Sequence, residues 1–363
     1  MKRFFCSISV ILICFILCGC ITEFEAKDVN EMEGILVVEG IITDDESVIT
    51  LSRSKGLSYE DNIFDLSPYH VTDAKVYIEC DDGTQWGALV PPDFKSGGQY
   101  AIKTGKLNPE RQYRLKIELE EHEYHSEFDY PMVTPEIDSV FWTKKDKGLP
   151  VNIHVATHTP DNAVHYFRWS YRENWVTRAR VPMFGYPSFC SKNYHSKGLS
   201  LGTNDKKVSD QIIEILTEIS PVNDRLSVLY RIDVTQNEIS KRAYDYFTNI
   251  KKNARQAGSI FAHVPSELRG NILCVTDPVR PVIGYMDVTS ATQGRLYIYS
   301  SEEIFEGSHI TGVCQPVSFN PGSWYALAAD GYYYPLRCID CIEDGGRPIS
   351  ELPDDWLYQY GED

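Results

Sequence analysis

Residues 112–119 read QYRLKIEL, and within them Tyr113, Leu115, Ile117 and Leu119 alternate with Arg114, Lys116 and Glu118. Side chains two apart on an extended chain share a face, so this stretch is a strand with one apolar and one charged side. The text around it repeats the pattern. Upstream, VTDAKVYIEC from Val71 to Cys80 sets Val76 and Ile78 against Tyr77 and Glu79, then meets Asp81-Asp82-Gly83. Asp-Gly between strand-like runs signals a hairpin, because that turn needs positive φ. Further back, ILVVEGIITDD from Ile35 is a β-branched run stopped by Asp44 and Asp45, and Gly97-Gly98-Gln99-Tyr100 opens another strand. Short strands at this spacing, separated by turn residues and lacking a helical period, predict an antiparallel β-sandwich over residues 34–131.

Pro131 and Pro135, flanking Thr134, read as a domain junction, with a second β-rich domain over 132–363. Alternation resumes there in Val151, Ile153 and Val155, in His165, Phe167, Trp169 and Tyr171, and in Leu226, Val228, Tyr230, Ile232 and Val234. Strands are also expected over Val282–Val288 and Leu296–Tyr299. One helix is expected, over about 236–257. Thr235 with Glu238 spells a capping box, and Val234 with Ile239 the matching hydrophobic staple. Ile239, Ala243, Tyr246, Phe247, Ile250 and Ala254 would share its apolar face, with Gly258 as terminator. The fold class is therefore mainly β.

The chain has 363 residues, 42% of them hydrophobic and 24% charged, which is the composition of a folded globular protein and excludes wholesale disorder. Its net charge of −17 would repel a phosphate backbone and excludes nucleic acid as a partner.

Lys2 and Arg3 precede an apolar run from Phe4 to Cys18, too short to cross a membrane of about 30 Å but suited to a secretory signal. The run ends in Leu17-Cys18-Gly19-Cys20, which resembles a bacterial lipobox. Residues 1–19 are then a signal peptide, Cys20 is the lipid-bearing residue, and 20–33 form a polar tether. Stable anchoring takes two or more acyl chains, each stabilising by about 0.8 kcal/mol per buried CH₂. Glu23 and Glu25, just after Cys20, resemble surface-export signals. The expected location is the outer membrane, lipid-anchored, at the cell surface.

Apart from Cys6, Cys14 and Cys18 in the leader and the lipidated Cys20, the cysteines are Cys80, Cys190, Cys274, Cys314, Cys338 and Cys341. In an exported chain these favour disulfides, with Cys190, Cys274, Cys314, Cys338 and Cys341 as candidates and the pairing open. Cys338-Ile339-Asp340-Cys341 is a C-x-x-C. A zinc ribbon would need a second such pair, and a thioredoxin-type site a strand-to-helix setting, so structural disulfides lead.

His154 and His158 could share a strand face and, with Asp161 or His165, suggest a metal site, but Thr159-Pro160 ends the strand and exposed histidines are the simpler reading. His122 and His125 fall on opposite faces. No G-x-S-x-G, H-E-x-x-H, P-loop or G-x-G-x-x-G is present, and no acidic pair stands out for glycoside hydrolysis. No catalytic residue, cofactor or metal is expected.

Two aromatic stretches are the candidate ligand or partner surface. The first comprises Trp169, Tyr171, Trp175, Phe184 and Tyr186, with Phe189, and carries Arg172, Arg178 and Arg180. The second comprises Trp324, Tyr332 and Tyr333, with Tyr325, Tyr334 and Pro335. Tyr, Trp and Arg anchor interfaces, and aromatic faces suit sugars, whereas burial in the core is the alternative for any one of them.

Together the lipobox at Cys20, ILVVEGIITD, VTDAKVYIECDDG, GGQY from Gly97 and QYRLKIELEEHEYHSE from Gln112 resemble the domain-of-unknown-function 4249 family of Bacteroidota lipoproteins. The C-terminal half adds YDYFTNIKKN from Tyr244, GNI from Gly270, VIGYMDV from Val282 and CIDC from Cys338. Cys18 departs from the small residue more usual in that lipobox. The resemblance implies an N-terminal Ig-like sandwich of the carboxypeptidase-regulatory-like type, a second β-rich domain, and genes beside TonB-dependent outer-membrane transporters. By analogy with SusD-like lipoproteins, such a protein would capture a small molecule, glycan or peptide for the barrel. The expected function is a surface lipoprotein of that kind rather than an enzyme. A surface adhesin or structural envelope component is the alternative, and a surface glycan or peptide hydrolase a more distant one.

Overall fold

The computed structural model describes residues 34–54, 69–88, 97–159, 163–205, 210–256, 270–301, 304–306 and 314–349. The segments expected as signal peptide and tether, Cys20, Asp161 and Gly258 lie outside the described residues.

Before the proline junction come β1 (Leu36–Glu39), β2 (Asp45–Arg53), β3 (Lys75–Cys80), β4 (Gln85–Gly87), β5 (Gln99–Gly105), β6 (Tyr113–Leu119) and β7 (His122–Ser126). After it come β8 (Ser139–Thr143), β9 (Val151–His158), β10 (Tyr166–Arg178), β11 (Phe189–His195), β12 (Ser200–Thr203), β13 (Gln211–Ile219) and β14 (Leu229–Glu238). The helix Lys241–Gln256 follows, then β15 (Ile272–Cys274), β16 (Val282–Gly284), β17 (Ala291–Tyr299), β18 (Tyr325–Leu327), β19 (Tyr333–Pro335) and β20 (Arg347–Pro348). The protein is mainly β, and its sheets form two sandwiches.

In the first sandwich a sheet of order β16-β1-β2-β5 faces one of order β15-β7-β6-β3-β4. The alternation read from the sequence is the alternation of burial: Tyr113, Leu115, Ile117 and Leu119 are buried while the charged residues between them are not. The hairpin from β3 to β4 turns at Gly83, whose φ of 90° belongs to the region that only glycine enters freely. Arg114 and Lys116, on the outer side, close ion pairs onto Glu79.

This sandwich is not contained within residues 34–131. The segment after the helix returns to it: β15 pairs antiparallel with β7, and β16 pairs parallel with β1, putting Ile272, Cys274, Met286 and Val288 into the first core. The expected all-antiparallel sandwich thus gains a parallel edge pair. At that edge Gly284 lies so close to β1 that a Cβ there would stand 2.6 Å from the Val38 carbonyl oxygen. Hydrogen bonds between Thr134 and Ser290 and from Asn237 to Ser290 fasten the proline junction.

In the second sandwich, β17-β14-β10-β11-β20, with β12 also on β10, packs on β13-β9-β8. Val151, Ile153 and Val155 fill the core with Phe167, Trp169, Tyr230 and Ile232. Glu173 is buried among them, and its carboxylate accepts from Arg225 Nη1 at 3.0 Å and Tyr230 Oη at 2.7 Å. An unpaired charge there would be costly, whereas this one has its donors.

The helix starts later than expected. Thr235 and Glu238 belong to β14, which is paired with β10, so neither can form a capping box. Ser240 is the cap instead, its Oγ accepting from the Ala243 amide at 3.1 Å. Ala243, Tyr246 and Phe247 do face inward, packing with Ile239 and Tyr285.

Two disulfides tie the C-terminal segment: Cys190 to Cys341 and Cys314 to Cys338. The C-x-x-C therefore splits between two bridges. Cys274, expected as a disulfide candidate, is a buried free thiol, as is Cys80. Their strands are separated by β7 and β6, about 14 Å at ordinary strand spacing, and the register sets Cys80 four residues further along β3 from the position in line with Cys274, so the two lie beyond the reach of a disulfide.

Candidate functional site

The outer side of the six-stranded sheet is polar because β10, β14 and β17 each alternate. Their inward positions supply the second core, and the positions between supply a grid of polar side chains. Cross-strand register sets them in rows. One row runs His195, Arg172, Asp233, Arg295 across β11, β10, β14 and β17. The row beside it is Asn193, Asn174, Arg231, Tyr297, and the row on the other side brings Ser170, Thr235 and Gln293 together. At one end the face is covered where Arg168 lies over the Phe247 ring of the helix, at 4.9 Å from its centroid. At the other end Val176, Leu229, Tyr297 and Ile349 pack together. Between them an open cleft of about 550 Å³ is lined by residues of the first and third rows, Arg231 and Ser196.

The cleft has three guanidinium groups against one carboxylate. Asp233 accepts from Arg231 Nε at 2.9 Å and also from Arg295 Nε. Burial works against the Arg295 charge, but the Asp233 contact outweighs it and raises the pKa. Arg231 is only 7% exposed and lies against the Tyr297 ring, 6.0 Å from its centroid. Arg172 is exposed and makes no ion pair among the described residues. Burial, then the charge of Arg172, push the His195 pKa down, so its imidazole is neutral at pH 7. The arrangement can hold an oxyanion through planar guanidinium forks.

The first aromatic stretch divides. Trp169 is 1% and Trp175 8% exposed, both in the second core, so they are not surface residues; inward alternation on β10 put them there. The Trp169 indole donates to Gln236 Oε1 at 2.8 Å, and Arg225 lies over the Trp175 ring. Tyr171 is half-buried against the same core. Phe184 is fully exposed and Tyr186 half-buried, on the loop between β10 and β11. In the second stretch Trp324 is 72% exposed, Tyr332 exposed and Tyr333 half-buried, around the two-stranded β18–β19 hairpin. The two exposed parts share an anchorage. The Val181 amide donates to the Cys338 carbonyl at 2.9 Å, and Cys341 lies against Pro187. Residues at the base of the Phe184 loop thus rest on the disulfide-tied segment that follows the hairpin.

His154 stacks on Phe141 and meets Thr143, and His158 pairs with Asp138, so the two histidines do not converge on one ligand site. Among the described residues no group of three His, Cys, Asp or Glu side chains is arranged to hold a metal, and no helix is long and apolar enough to cross a membrane.

Sequence reading reached Arg172 as part of the aromatic stretch but missed His195, Arg231 and Arg295. The signal was their alternation with apolar residues on strand runs. What joined them was register between strands, at pairs such as Arg172 with His195, Arg172 with Asp233 and Asp233 with Arg295, which alternation alone does not supply.

A family model described as "Domain of unknown function (DUF4249)" matches residues 21–295. That span holds every residue of the three rows except Tyr297 and stops before the disulfide-tied segment. No curated protein matches the chain. Among solved structures, a two fibronectin type-III domain segment from chicken tenascin is similar at 11% identity, over 57% of this chain and 91% of that one, with a TM-score of 0.15.

Proposed function

The chain belongs to the family of the domain of unknown function 4249, and from that premise we propose that it is a lipid-anchored binding lipoprotein of the bacterial outer-membrane surface. It captures a ligand as the accessory partner of a TonB-dependent transporter and is not an enzyme. The observation that carries this reading is Cys20 behind a short apolar leader, with Gly19 before it and Glu23 and Glu25 after. Such a leader fixes the chain to a membrane while leaving its β domains in water. The polar cleft supports the ligand-binding part, because it is concave and carries charge. Exposed Phe184, Trp324 and Tyr332 support the partner part, because aromatic side chains held on a cross-linked base lose little freedom on docking.

Anchoring is tested by growing cells on labelled palmitate. The protein should carry label and sediment with outer membranes, and Cys20→Ala should lose both properties. A wild-type protein without label would overturn this part of the proposal.

A further inference from the structure

We propose that the cleft on the outer face of the six-stranded sheet is an oxyanion site, which takes the carboxylate, sulfate or phosphate group of a small acidic ligand between Arg172 and Arg295. This deepens the binding-protein reading above and rests on it.

An uncovered sheet face is ordinarily polar, so polarity alone carries nothing. Three features separate this face from a merely solvated one. The first is sign: three arginines surround one aspartate in a chain of net charge −17. Because salt screens charges beyond about 8 Å, the local excess rather than the total decides what enters. The second is division of labour within the row. Asp233 is already engaged by Arg231 and Arg295, so it orients them, while Arg172, next to it on β10, has no carboxylate of its own. Arg172 and Arg295 lie on either side of Asp233, two strand spacings or about 10 Å apart. That gap fits one small acidic group with its hydroxyls. The third is the neighbouring row, where Ser170, Thr235 and Gln293 offer uncharged donors to the rest of a ligand. Arg231, nearly buried beneath, keeps its charge fixed in the cleft floor.

The test is isothermal titration of the full-length lipoprotein in detergent with citrate, sulfate and inorganic phosphate, using maltose as the uncharged control. At least one oxyanion should bind saturably, more weakly as salt rises, and maltose should not. Arg172→Gln should weaken that binding tenfold or more, and so should Arg295→Gln, whereas Lys241→Gln on the exposed helix surface should leave it unchanged. Arg172 has no ion pair to lose, so its variant should keep the wild-type melting temperature and remain informative if Arg295→Gln unfolds. Citrate binding alone would identify a carboxylate ligand, and sulfate or phosphate binding a tetrahedral one. No saturable binding of any of the three, or binding undiminished in Arg172→Gln, would overturn the proposal. Neither result would bear on acylation at Cys20, which is read separately.

Discussion

Asp287 holds its carboxylate where water does not reach. It is 2% exposed, and neither oxygen has a hydrogen-bond partner of normal geometry. Burial pushes its pKa up to about 7, helped by Asp129 and opposed by Ser240 at the helix start and by Arg168. The unfolded chain releases the same proton near pH 4, so the native state binds the extra proton between about 4 and 7 and loses stability as pH rises through that interval. Each pH unit there is worth about 1.4 kcal/mol at most. Asp287→Asn should therefore gain on the wild type by about 2 kcal/mol or more between pH 5 and pH 8, measured by urea unfolding at both. A difference that stays constant with pH would contradict the assignment. Glu173 is as deeply buried but accepts from Arg225 and Tyr230, donors of the kind that the Asp287 oxygens lack.

The returning strands β15 and β16 decide what the first sandwich is. Alternation made β3 and β6 readable from the sequence, because each is a half-buried strand in a local hairpin or meander. Val282–Val288 was read as a strand too, but its partner is β1, some 245 residues earlier. Nothing local encodes such a pairing, so the sequence boundary at 131 cut the sandwich short. The helix start was misread for a related reason, since Thr235 has the residue type of a cap but lies in β14, which pairs on both sides. Burying Ile272, Cys274, Met286 and Val288 contributes about 1.5–3 kcal/mol for each large side chain, together comparable with the whole stability of a small domain. Residues 34–131 expressed alone should therefore show no cooperative urea transition. A fragment that unfolds cooperatively would show the returning strands to be dispensable.

Taken whole, the molecule presents two different surfaces. One is the cationic cleft on β10, β14 and β17, and the other is the aromatic end anchored by the Cys190–Cys341 and Cys314–Cys338 disulfides. The aromatic stretches were visible in the sequence, but only folding separated core from surface within them, sending Trp169 and Trp175 inward and leaving Phe184 and Trp324 outside. The proposed ligand face, partner face and lipid anchor together are what an accessory of a transporter requires, and that proposed partnership is the central claim. It is tested most directly by purifying a C-terminally tagged protein from outer membranes in mild detergent and identifying what accompanies it. The account predicts a TonB-dependent transporter in near-stoichiometric amount; a clean preparation without one would contradict it.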